Sequence, residues 1–76
     1  MDSKTIEQMI RAGMTGADVQ VTGADGVHFE AQVVSPEFAG KSTLQRHRMV
    51  YETLGELMGR EIHALALQTQ TPEERG

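Results

Sequence analysis

The sequence predicts an α+β domain in the order helix, strand, strand, helix, strand, with its helices on one face of a three-stranded mixed sheet. Three observations carry this. Apolar residues recur at helical spacing in two segments, Ile6 to Ile10 and Leu44 to Met58. They alternate in two others, Val19 to Val21 and Phe29 to Val33, and Gly, Ser and Pro separate the segments. Each amphipathic helix must bury its stripe, and the apolar face of the sheet is the surface available for it. The 76 residues make one domain, 1–76, whose core is thin because a chain this short hides only about 60% of the surface its unfolded form exposes.

The first helix starts at a cap, Asp2 or Ser3, carries Ile6, Met9 and Ile10 on one stripe and ends near Gly13. From Ala17 to Thr22 the pattern alternates, Gly23-Ala24-Asp25-Gly26 supplies turn chemistry, and alternation resumes at Phe29, Ala31 and Val33. This reads as an antiparallel hairpin. Ser35-Pro36 breaks the second strand, and Ser42 followed three residues later by Gln45 marks the start of the long helix with a capping box. Its buried face is expected to hold Leu44, His47, Val50, Tyr51, Leu54, Leu57 and Met58, with Glu56 and Arg60 as an i, i+4 pair and Gly59 as the stop. The last strand is expected from about Ile62 to Thr69, with residues 70–76 a polar tail that begins a helical turn at Pro72. The long helical connection lets strands two and three pair in parallel through a right-handed crossover.

Composition narrows the functions open to such a domain. A net charge of −4 argues against a surface built wholly for phosphate binding, although Lys41, Arg46, Arg48 and Arg60 cluster in one stretch interleaved with Glu52, Glu56 and Glu61. No apolar run approaches the roughly 20 residues that span a bilayer. Met1-Asp2-Ser3-Lys4 lacks an apolar signal core, so a cytoplasmic location with no membrane partner is expected. The chain has no cysteine. Metal chemistry must therefore rest on histidine, carboxylate or another molecule's thiols. Parallel pairing brings His28, which opens strand two, and His63, which opens strand three, to the same end of the sheet. The last strand admits two registers, one with Leu65, Leu67 and His63 inward and one with Ile62 and Ala64 inward.

Four ordered pieces of the sequence carry a resemblance. Phe38-x-Gly40-Lys41-Ser42, then Arg46-His47-Arg48-x-Val50-Tyr51, then Ile62-His63-Ala64-Leu65 and finally Thr71-Pro72-Glu73 are similar to the signature of the BolA-like proteins, over nearly the whole chain. The resemblance implies a class II KH-like fold and no enzymatic activity. It implies an adaptor role beside a monothiol glutaredoxin, co-ligating a [2Fe-2S] cluster in iron-sulfur trafficking and iron homeostasis. It also implies a link to transcription regulation and the stress response. His63 matches the family's histidine at the start of the last strand, and His28 matches the histidine or cysteine of the loop before the second strand, so the chain is similar to the histidine-loop subgroup. The cluster would be completed by the glutaredoxin cysteine and a glutathione thiol, with none held by the isolated chain.

Each of these residues also has a structural reading. His63 as a strand histidine and His28 as a solvated loop residue need no metal. As ligands they must be neutral, so binding should weaken as pH falls through about 6.5. His47 lies in the helical rhythm and is expected to be buried with one hydrogen bond. Lys41, Arg46 and Arg48 read as a solvated face paired with Glu52, or alternatively as phosphate contacts of a small DNA-binding regulator, three contacts giving a salt slope of about −3. A homodimer of the free chain is the remaining candidate assembly. Gly40-Lys41-Ser42 is not a P-loop, since the first glycine of that pattern and a nucleotide-sized domain are both lacking. No nucleophile–base or carboxylate pair is placed by spacing, which leaves catalysis without support.

Overall fold

Apolar alternation and helical spacing resolve into eight elements in the computed structural model, which describes residues 1–76. These are α1 (Ser3–Gly13), β1 (Asp18–Thr22), β2 (His28–Val34), a 3-10 turn at Pro36–Phe38, α2 (Thr43–Leu54), a second at Gly55–Leu57, β3 (Ala64–Gln70) and α3 (Pro72–Arg75). The sheet order is β1-β2-β3, with β1 antiparallel and β3 parallel to β2. The mixed three-stranded α+β architecture is thus the one expected.

Asp2 is the α1 cap, its Oδ1 accepting the Thr5 N–H at 2.8 Å. Ser42 and Gln45 form the full capping box of α2. The core is a single cluster of 12 buried residues. Ile6 and Ile10 enter it from α1 and Met14 from its C-cap, Val19, Val21, Phe29, Ala31 and Val33 from the hairpin, and Val50 and Leu54 from α2, with Phe38 and Ile62 closing the ends. The outer edge of β1 is covered by α1: Arg11 donates to the Val19 carbonyl at 2.9 Å, and Glu7 accepts the Val21 N–H at 3.3 Å while pairing with Arg11 at 3.1 Å. An edge strand is thereby closed to further pairing.

The structure corrects several boundaries. Helix α2 ends at Leu54 and not at Gly59, because Gly55 takes a positive φ of 55° and its N–H closes on the Tyr51 carbonyl. The Glu56–Arg60 pair consequently lies beyond the helix, at 3.5 Å and largely solvated. Leu44 is 61% exposed. It lies in the first turn of α2, before the helix reaches the core at Val50. His47 is half-buried, and its ring meets Tyr51 edge to face at 6.4 Å in place of the expected hydrogen bond.

The last strand begins at Ala64 because Leu57 to Ile62 forms a tight turn, in which Ile62 N–H donates to the Leu57 carbonyl and Gly59 N–H to the Ile62 carbonyl, each at 2.9 Å. Ile62 is fully buried in that turn, and Leu65 and Leu67 then pack against the core from the strand. The turn breaks the alternation, so Ile62 of one register and Leu65 and Leu67 of the other face inward together, while His63 is exposed and not inward. In the polar segment 70–76 the expected helical turn from Pro72 is α3, but the segment is tied down: Gln70 ends β3, Thr71 is buried as the α3 cap, and Arg75 donates to Asp18 at 2.6 Å.

Helices α1 and α2 approach closely at Gly13, where an added Cβ would lie 2.6 Å from Thr53 Cγ2 and 2.8 Å from Thr53 Cβ. Thr53 has little freedom to yield, because its hydroxyl donates to the Val50 carbonyl at 2.6 Å and its side chain is β-branched. Gly13→Ala gains roughly 0.5–1 kcal/mol of helix propensity but overpacks a close contact at a cost of roughly 1–3 kcal/mol. The clash should win, lowering the urea midpoint by the equivalent of about 1 kcal/mol with the m-value unchanged; a midpoint that rises would show that the helices separate freely.

Candidate functional site

The hairpin loop between β1 and β2 is organised by Asp25. Its Oδ1 accepts the backbone N–H groups of Val27 at 2.9 Å and His28 at 2.8 Å, while Gly26 supplies a φ of 72°. The other oxygen, Oδ2, lies 2.8 Å from His28 Nδ1. One carboxylate therefore shapes the loop and holds the imidazole that leaves it. These bonds keep the Asp25 carboxyl well below its ordinary value of 3.8, the His28 side chain contributing most and the backbone N–H groups of His28 and Val27 next. Asp-Gly followed by His two residues later was visible in the sequence as turn chemistry, yet the Asx bond that ties the aspartate to the histidine was not read from it.

Register places His28 beside Ala64. His63 therefore stands one residue outside that pair, at the same end of the sheet and exposed to solvent. Val27, 48% exposed, precedes His28 and makes this end partly apolar. Two imidazoles thus emerge from neighbouring chain segments at one mouth of the sheet. The chain brings no third ligand to them, as no group of three or more His, Cys, Asp or Glu side chains is placed to hold a metal ion. A four-coordinate site here would need donors from another molecule.

The basic residues lie at the other end. Parallel pairing of β2 and β3 obliges the chain to return along the sheet, so the start of α2 adjoins the C-terminal ends of those strands. Arg46 is not a free cation there, contrary to the expectation that grouped it with Lys41 and Arg48. Its Nη1 and Nη2 donate to the two Glu74 carboxylate oxygens at 2.7 and 3.1 Å, and its Nε donates to the Lys41 carbonyl at 3.0 Å. The guanidinium also lies 5.8 Å from the Phe38 ring centre, and the side chain is only 12% exposed. Its ionic partner is thus Glu74, not Glu52. Lys41 and Arg48 remain exposed beside Leu44.

Fold and site geometry can be set against known proteins. The family model described as BolA-like protein matches residues 7–74. The chain belongs to the BolA-like family. Human BolA-like protein 1 is 51% identical over 47 residues, covering 62% of this BolA-like chain and 34% of the human protein. The Escherichia coli DNA-binding transcriptional regulator BolA is 49% identical over 47 residues, covering 62% of the chain and 45% of the relative. The matched segment thus spans between a third and a half of these relatives' length. A BolA protein homologue from Coxiella burnetii superposes with a TM-score of 0.88 at 45% identity, covering 99% of this chain and 96% of that one. No helix of this BolA-like domain is long and apolar enough to cross a membrane.

The Arg46–Glu74 pair makes a pH-dependent prediction. Arg46, and after it the Thr71 N–H, hold the Glu74 carboxyl below its ordinary value of 4.5. A carboxyl depressed by folding contributes stability that is complete above its unfolded value and is lost as pH falls through the folded one. Glu74→Gln should therefore be less stable than wild type at neutral pH, with the gap closing as the pH drops below 4.5; chemical denaturation at several pH values reads it directly, and a gap independent of pH would assign the loss to something other than the ion pair.

Proposed function

We propose that this BolA-like chain is an adaptor, not an enzyme, that partners a monothiol glutaredoxin and co-ligates a [2Fe-2S] cluster through His63 and His28. The observation that carries this reading is the β2–β3 register, which sets both histidines at one end of the sheet with His28 beside Ala64. The donor chemistry fits a shared site. Two exposed imidazoles without a third ligand leave the remaining positions to a glutaredoxin cysteine and a glutathione thiol. A bound cluster of this kind supplies one-electron chemistry, and histidine in place of thiolate on one iron raises its reduction potential. Val27 adds apolar surface next to the ligands where a partner would meet the chain.

Anaerobic reconstitution with a monothiol glutaredoxin and glutathione tests this. Visible circular dichroism should show a heterodimer spectrum distinct from that of the glutaredoxin alone, lost in His63→Ala and altered in His28→Ala. Absence of a complex, or a spectrum indifferent to both substitutions, would sink the adaptor reading.

A second reading, a DNA-binding regulator, is favoured by the exposed pair Lys41 and Arg48 at the start of α2 and by the Escherichia coli relative's name. With Arg46 engaged by Glu74, two phosphate contacts remain in place of three, and the affinity should fall with log salt at a slope of about −2. A binding titration at low salt that detects no complex removes this reading.

A further inference from the structure

Neutral imidazole presents two different nitrogens, one that donates a hydrogen and one that accepts, and only the second can coordinate a metal. The hairpin loop decides between them at His28. Asp25 Oδ2 lies 2.8 Å from Nδ1, and Asp25 Oδ1 already accepts two backbone N–H groups. Two backbone N–H donors on one oxygen, with a loop otherwise open to solvent, are the setting of an ionised carboxylate, which has no hydrogen to give. The hydrogen between Asp25 and His28 therefore belongs to Nδ1. No group of the chain takes up Nε2, and the His28 side chain is 76% exposed.

We propose that Asp25 is a positioning residue that holds His28 as its Nδ1–H tautomer and so presents Nε2 as the coordinating atom. The identity of the bound metal centre rests on the adaptor reading; the tautomer is a property of the isolated chain and stands independently of it. The arrangement is that of a ligating histidine braced through its other nitrogen by a carboxylate, here built from residues three apart in one turn. The competing view is that Asp25 only shapes the turn and meets the ring by proximity.

An isosteric substitution separates the two. In Asp25→Asn the amide oxygen can still accept the Val27 and His28 N–H groups, so the turn is kept. The amide nitrogen replaces Oδ2, however, and can only donate to Nδ1, which forces the hydrogen onto Nε2. Long-range proton–nitrogen correlation spectra of the 15N-labelled isolated chain, recorded at about pH 8 where imidazole is ordinarily neutral, report the tautomer directly. Wild type should show His28 as Nδ1–H, and Asp25→Asn should invert it while the backbone amide pattern of the domain is preserved. A wild-type ring in the Nε2–H form, or protonated on both nitrogens, would overturn the proposal, as would a tautomer that Asp25→Asn leaves unmoved.

The link to ligation is read separately. Asp25→Asn should weaken the reconstituted glutaredoxin complex about 10- to 100-fold. Wild-type strength in Asp25→Asn alongside loss in His28→Ala would refute the positioning role and leave the adaptor reading intact. A complex indifferent to His28→Ala would remove His28 from that reading and overturn the coordinating role of Nε2, whatever the tautomer spectra show.

Discussion

The parallel pairing of β2 with β3 is the constraint on which the rest of the molecule depends. Parallel neighbours cannot be joined by a tight turn, so the chain must travel back along the sheet before β3 begins. Helix α2 is that return path. Its start consequently lies at the end where β2 and β3 finish, and its last turn leads toward the end where they begin. Two exposed histidines at one mouth and two exposed cations at the other are both results of this single connection. The helix spans roughly 18 Å at 1.5 Å per residue, so the adaptor and regulator readings draw on separate surfaces and do not compete for the same atoms.

The end bearing the cations is also where the chain secures its terminus. Arg46 lies between Phe38, Lys41 and Glu74, so one guanidinium fastens α3 to α2 and to the loop before it. Arg75 reaches from α3 to Asp18 on the far strand, and Val34, which lies on the strand between them and lines the same hollow as Arg75, is buried although it is out of step with the core-facing residues of β2. Exposed ion pairs are individually worth little. Arg46 differs because its fork engages both carboxylate oxygens with little exposure to water. A residue that looked like a phosphate contact is instead a fastening for the last seven residues.

Most of the fold was legible because its signals are local. Capping chemistry at Asp2 and Ser42, alternation through β1 and β2, and the histidine that opens β2 are read within a few residues. The misreadings share a cause. Gly55 and Gly59 both adopt a positive φ and the first of them already ends α2, while the start of β3 depended on a turn whose hydrogen bonds join Leu57, Gly59 and Ile62. Arg46 finds its partner 28 residues away, which no periodicity reveals. At the histidine end, parallel pairing was inferred from the length of the connection, and it placed His28 and His63 together. Asp25 escaped notice because a turn-forming aspartate and a bracing aspartate look alike until both carboxylate oxygens are located.

Neither His28 nor His63 belongs to the buried cluster. Replacing either ring opens no cavity and strands no buried polar group, the two routes by which substitutions usually unfold a small domain. Selection acting on these two side chains is therefore decoupled from selection acting on folding. A lineage is free to exchange either residue, changing what this mouth of the sheet presents to solvent, on a scaffold that registers almost none of the change.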